Sequence, residues 1–196
     1  MPRLFYALEL PERVRNRLQE EVRRLSTSRA DVAWTRAENY HMTLRFIGET
    51  DDRALMELVA LLKDAASKTP PLDLEPCGIG SFPEGEPVPH VIWSGVRGAT
   101  PEADAALKEL RRVLNDGARS MGHRAEKGKF VPHITLGRLR SDRAVQALVD
   151  RMGPAKIRPF GRFLVREAVL FETHEGEFGT EYTPLARFTL SARKTR

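Results

Sequence analysis

Cysteine is almost missing from this chain. Cys77 stands alone among 196 residues, so no intrachain disulfide and no cysteine-built metal cluster is available. A reducing, cytoplasmic setting is the expectation that follows. Cys77 has no basic neighbour in sequence and reads as apolar filler. No apolar run approaches the ~20 residues that cross a bilayer, which points away from a membrane partner. The opening Met1-Pro2-Arg3-Leu4-Phe5 lacks the basic-then-apolar build of a signal peptide. Pro/Ser linkers and low-complexity tracts are absent, so residues 1–196 read as one domain. Gly-x-Ser-x-Gly is absent too, which weakens any nucleophilic-triad reading. What remains is 41% hydrophobic and 30% charged, the balance of a globular protein. The 32 basic residues exceed the 27 acidic ones, a surplus of +5 that suits an anionic partner such as RNA without demanding one.

The informative presence is a repeat. His-x-Thr-Leu occurs as His41-Met42-Thr43-Leu44 and again as His133-Ile134-Thr135-Leu136, each inside an apolar run that reads as a strand. A strand sends residues i and i+2 to one face, so each copy presents an imidazole beside a hydroxyl and turns its apolar residues the other way. Helical spacing appears in Val14/Leu18/Val22/Leu25, in Leu55/Leu58/Val59/Leu62, in Leu107/Leu110/Leu114 and in Val145/Leu148/Val149/Met152. Ser141-Asp142 offers a cap for the last of these. Strands are expected over 4–10, 32–35, 40–47, 72–79, 88–96, 130–138, 163–172 and 182–190, with a polar turn over 173–179. Each half thus reads helix, strand, motif strand, helix, two strands. The expected fold is α+β: two pseudo-symmetric lobes, each an antiparallel sheet with helices on its outer face, enclosing a central groove.

Two histidines facing each other across that groove suit in-line attack at phosphorus. One imidazole deprotonates water while the other protonates the departing oxygen, and an ordinary pKa near ~6.5 serves both roles. Thr43 and Thr135 are placed to donate to the non-bridging oxygens. No metal or other cofactor is needed, and the motif histidines, 92 residues apart, lack zinc-site spacing. Candidate substrate contacts are Tyr40, Arg45, Phe130 and Arg138. Arg45 lies four residues after His41, on the same face of a regular strand. Arg138 lies five after His133, on the opposite face unless a bulge re-aims it. The basic run Arg124 to Phe130, with Lys127 and Lys129, offers an approach to the second motif, and Phe130 suits stacking on an unpaired base. His90, His123 and His174 read as solvated or capping residues.

These motifs resemble the two-histidine (2H) phosphoesterase superfamily, and within it the RNA 2',3'-cyclic phosphodiesterase or 2'-5' RNA ligase branch. The resemblance rests on Arg3-Leu4-Phe5-Tyr6-Ala7-Leu8, Trp34 and His41 to Gly48. It continues through Cys77 to Pro83, Val91-Ile92-Trp93, Phe130 to Arg138, Leu170-Phe171-Glu172 and Tyr182 to Leu185. It implies His41 as proton donor to the leaving oxygen and His133 as proton acceptor, a role split the symmetric pair does not itself make. It also implies Thr43, Thr135 and Arg138 as phosphate contacts and a 2'-phosphate product. RNA with a 2',3'-cyclic phosphate end, including tRNA fragments, would be the partner, and reversible 2'-5' ligation would be the same chemistry run backwards. His174 departs from the family pattern in the closing turn. A monomer with no obligate protein partner is expected. Two other readings stay open: the same mechanism on a small cyclic nucleotide or cyclic ADP-ribose phosphate, and an RNA-binding module without catalysis.

Overall fold

The computed structural model describes residues 3–126, 128–176 and 179–192. Nine strands run antiparallel: β1 Arg3–Glu9, β2 Val32–Trp34, β3 His41–Glu49, β4 Leu72–Phe82, β5 Val91–Gly98, β6 His133–Leu139, β7 Phe163–Val165, β8 Glu167–Gly176 and β9 Gly179–Thr189. The helices are α1 Glu12–Ser26, α2 Asp52–Ser67, α3 Pro101–Ser120 and α4 Val145–Met152. The sheet order is β7-β4-β5-β6-β3-β1-β8-β9, with β2 paired to β6. Among the described residues, no helix is long and apolar enough to cross a membrane.

The plan expected for each half is met only in part: among the described residues no strand between α3 and β6 corresponds to β2. Apart from β2 and β7, the unit β1-α1-β3-α2-β4 parallels in order the unit β5-α3-β6-α4-β8, and the motif strands β3 and β6 meet at the centre. Yet β4 pairs with β5 of the second unit, and β8 pairs with β1 of the first. Helix packing keeps the same two-fold relation, α3 against α2 and α1 against α4. The strand expected over 163–172 is in fact two. Phe163–Val165 pairs with β4 at one edge of the sheet, and after the single residue Arg166 the chain enters β8 beside β1 near the other edge. One residue spans a few ångströms, so the sheet must curl until its ends approach, leaving a concave and a convex face.

Helices cover the convex face. On β1 the side chains of Leu4, Tyr6 and Leu8 join the helix-covered core, whereas Phe5 and Ala7 face the concave side with Val169, Phe171 and Tyr182. This two-sided burial explains why β1 reads as a continuous apolar run and not as an alternation. Asp51 caps α2 by accepting from the Ala54 amide at 2.8 Å, and Thr100 caps α3 by accepting from the Ala103 amide at 3.2 Å. The cap expected at Ser141-Asp142 does not form. Ala144, with φ of 54°, precedes α4 instead, and Ser141 donates to Asp31. The polar turn expected over 173–179 is largely strand, because β8 runs on to Gly176. Lys127 of the basic run, residues 177–178 of the expected turn and residues 193–196 lie outside the described residues.

Gly137 lets β2 approach β6. A Cβ there would lie 2.7 Å from Val32 Cγ1, 2.9 Å from Trp34 Cε3 and 3.2 Å from the Ala33 carbonyl oxygen. Gly137→Ala is expected to lower stability by about 1–3 kcal/mol through overpacking. The urea midpoint should fall with the slope of the transition unchanged, and an unaltered midpoint would show that β2 yields freely.

Candidate active site

The two motifs are brought together. Strands β3 and β6 meet with Met42 opposite Ile134. Continuing that antiparallel pairing sets His41 beside Thr135 and Thr43 beside His133, with all four on the concave face. The charge of His133 acts on His41, and Thr43 and His133 line one cavity of about 300 Å³.

Each imidazole is held the same way. His41 Nδ1 lies 2.8 Å from the Asn39 carbonyl oxygen, and His133 Nδ1 lies 2.7 Å from the Val131 carbonyl oxygen, in both cases two residues upstream. A carbonyl only accepts, so Nδ1 carries the proton and donates, leaving each Nε2 free to exchange a proton in the groove. His41 Nε2 sits 3.0 Å from Thr43 Oγ1, which donates to the neutral ring. Aromatic rings complete both pockets. Phe5 lies 4.9 Å from His41 and Tyr182 meets it edge-on at 5.0 Å, while Phe82 meets His133 edge-on at 5.1 Å with Trp93 at 6.3 Å.

Burial lowers the pKa of both imidazoles, because a charged ring loses hydration among these apolar walls. His41 is pushed down to about 4, with nearby His133 adding to the effect and the Asn39 carbonyl opposing it. His133 is lowered by burial and further by Arg138, against the Val131 carbonyl. Both rings are therefore neutral at neutral pH.

The side chain aimed into the groove after each motif is decided by a bulge. Tyr6 pairs with Arg45 and Ala7 with Thr43, leaving Leu44 extra on β3; Ile92 pairs with Gly137 and Trp93 with Thr135, leaving Leu136 extra on β6. An extra residue inverts the alternation beyond it. Arg138 thereby joins the face of His133 and Thr135, where its charge acts on both His133 and Tyr182. By the same inversion Arg45 leaves the groove, which corrects its expected role as a substrate contact. It is 1% exposed, donates to the Arg124 carbonyl, and faces Glu126 at 3.6 Å. Phe46 takes the place two-fold equivalent to Arg138 and lines the cavity. Tyr40 is also corrected. It is buried in the main core, and its hydroxyl contacts Gln19 Oε1 at 3.0 Å on the helix side.

Phe130 does line the cavity, backed by the Arg111 guanidinium 4.9 Å from its ring centre. Arg111 also donates to Glu126 at 3.1 Å, and Glu126 accepts from the Phe46 amide at 3.2 Å, which ties the connector after α3 to β3. The sequence reading missed Tyr182, Phe5, Phe82, Arg111 and Glu126. Only the aromatic rings at alternate strand positions gave a signal for them. His174 is half-exposed on β8, 3.4 Å from the Glu172 carboxylate. Cys77 is half-buried, its Sγ 3.4 Å from the Ile157 carbonyl oxygen. Among the described residues, no three His, Cys, Asp or Glu side chains gather as a metal-holding set.

A curled α+β sheet carrying two His-x-Thr strands across one groove defines a two-histidine phosphoesterase. The model of the 2'-5' RNA ligase superfamily matches residues 11–177, and the chain belongs to that superfamily as an enzyme of the 2H phosphoesterase class. Similar proteins include an RNA 2',3'-cyclic phosphodiesterase of Methanothermobacter thermautotrophicus, 29% identical over 96% of this chain and 98% of that protein. One of Geobacillus stearothermophilus is 32% identical over 80% of this chain, which spans about half that relative's length (47%). The fold matches E. coli LigT in apo form at a TM-score of 0.74 and 26% identity, over 97% of this chain and 99% of that one. LigT complexed with 3'-AMP gives 0.75 at 26% identity, over 98% and 100%.

An imidazole neutral when folded and protonated when unfolded makes stability depend on pH. The unfolded state binds the extra proton between about 4 and the ordinary 6.5, so folding stability is full above 6.5 and is lost as pH falls through that window. NMR titration should place the His41 midpoint near 4 in the free protein. Inorganic phosphate should move it upward by giving the charged ring a partner. A midpoint at the ordinary value without phosphate would show that burial does not control this ring.

Proposed function

We propose that this enzyme opens the 2',3'-cyclic phosphate ends of RNA to 2'-phosphomonoesters by metal-independent acid–base catalysis. The observation that carries the reading is the paired orientation of the histidines. Two upstream carbonyls fix two imidazoles in one tautomer, with both Nε2 atoms directed into one groove and Arg138 turned in beside them. The names of the RNA 2',3'-cyclic phosphodiesterase relatives and the binding of 3'-AMP by LigT supply the substrate class.

The scissile phosphate lies between the rings. Arg138 and the hydroxyls of Thr43 and Thr135 contact its non-bridging oxygens and take up the charge that grows there. His133 Nε2 accepts a proton from the attacking water. His41 Nε2 returns one to the departing 3' oxygen, and the phosphate stays on the 2' oxygen. His41 is neutral at neutral pH, so the anionic phosphate itself supports the protonated form that a donor requires. With a 5'-hydroxyl end in place of water, His133 takes the hydroxyl proton, the P–O3' bond breaks with His41 protonating the 3' oxygen, and the new P–O5' bond completes a 2'-5' linkage. A small cyclic nucleotide is the second reading, favoured by the modest cavity of about 300 Å³ beside His133.

His41→Ala and His133→Ala are each expected to cut turnover of a cyclic-phosphate-ended oligonucleotide by about 10²–10⁴-fold. Phosphorus NMR should show a 2'-monoester as the product, and EDTA should leave the rate unchanged. Full activity in either variant, or a 3'-monoester product, would refute the mechanism. Preference for a cyclic mononucleotide over the oligonucleotide would select the second reading.

Arg138→Met should weaken phosphate binding and turnover by tenfold or more while sparing stability. Arg45→Met, at a buried site tied to the connector, should chiefly lower the unfolding temperature. Thermal melts beside steady-state kinetics separate the two, and the opposite pattern would reverse the assignment made from the bulges.

A further inference from the structure

The pseudo-two-fold axis supplies an internal comparison between the two helix layers on the convex face. In the α2–α3 layer, charges of both signs are interleaved and paired, as Lys68–Asp64, Lys108–Asp104 and Arg112–Glu109. The layer formed by α1, α4 and the segment that follows to residue 166 differs. It holds ten Arg and Lys residues against four acids, Glu12, Glu20, Glu21 and Asp150, a surplus of six that exceeds the +5 of the whole chain. Segment 151–166 contributes five of the cations and no acid.

These cations line a seam. Arg13, Arg17 and Arg24 recur at helical spacing on the side of α1 that meets the segment. Arg13 donates to the Arg162 carbonyl, and Arg24 donates both to the Arg151 carbonyl and to Glu21 of its own helix, while Arg162 pairs with Asp73 of β4 at 2.6 Å. Glu21, 3% exposed, is shared between Arg24 and Arg158 and holds the two guanidiniums side by side. Between them lies an open cavity of about 340 Å³ bordered by three cations, Arg17, Arg24 and Arg158, by the acids Glu20 and Glu21, and by Phe160. Arg17 is exposed there, and Arg151 and Lys156 are exposed elsewhere on the adjoining segment.

The seam lies a short length of chain from the active groove, no more than about 14 Å over the four residues from Glu9 to Arg13. Glu9 is the β1 partner of His41, and Arg13 follows four residues later. From Arg13 to Arg24 the stripe extends about 16 Å along α1, the reach of a few nucleotides of single strand. We infer that this seam is a second anion-binding surface that takes the phosphodiester backbone of the RNA body beyond the scissile end. It rests on the proposed RNA activity and adds to it a preference for long substrates over mononucleotides. A fixed row of guanidiniums suits phosphates in succession, and the single buried carboxylate spaces two of them without cancelling the row.

The test compares wild type with an Arg17→Ala/Arg151→Ala/Lys156→Ala variant and with a Lys63→Ala/Lys108→Ala/Arg112→Ala control that removes as many cations from the opposite layer. The seam variant should raise KM for a single-stranded RNA of about twenty nucleotides with a cyclic end by roughly tenfold. Its log–log salt slope should become shallower by about 2. Turnover of a cyclic mononucleotide should stay within about twofold of wild type. Fluorescence anisotropy with the same RNA ending in a plain 3'-hydroxyl reads the seam independently of catalysis. Seam-dependent binding without any hydrolysis by wild type would therefore overturn the catalytic reading and leave the seam standing. Equal affinity loss in seam variant and control, an unchanged salt slope, or a parallel fall in mononucleotide turnover would overturn the seam.

Discussion

The active groove depends on one constraint, the extra residue that follows each His-x-Thr. Without Leu44 and Leu136 out of register, alternation would bury Arg138 and turn Arg45 and Gly137 inward. With them, the cation Arg138 reaches the face of the histidines, and Phe46 occupies the equivalent place on the other strand. Two bulges in matching positions thus produce unlike outcomes from like geometry, because the residues that follow differ. The site is symmetric in its bases and asymmetric in its charge.

The same division runs through the imidazoles. Both are oriented by a carbonyl two residues back, a contact that depends on main-chain geometry and tolerates any side chain there; Asn39 and Val131 share no chemistry. Their electrostatic surroundings do differ. His41 sits among Phe5, Phe171 and Tyr182, whereas His133 lies against Phe82 and feels Arg138. Two groups of one kind thus occupy unlike electrostatic surroundings on one groove.

Much of this was legible in the residues. The repeated motif picked out both imidazoles and both hydroxyls that share the groove, strand period gave their common face, and apolar spacing located all four helices. Arg45 and Arg138 were not separable, since a bulge is a tertiary choice that strand parity does not encode. Tyr40 looked available because it adjoins His41, but a strand neighbour points the other way, here toward α1. Ser141-Asp142 had the chemistry of a cap, yet α4 starts three residues later from a left-handed Ala144. The strand over 163–172 read as one run because nothing apolar or polar marks Arg166 as the point where the chain passes between opposite edges.

The exchange of β4 and β8 has its own consequence for how this molecule can come apart. Two units joined end to end would separate when the joining loop is cut. Here each unit lends its last long strand to the other, so a fragment ending near residue 99 would carry β4 and β5 with no β6 to receive them, and β1 with no β8. The two units are interlocked, and neither retains a complete sheet of its own.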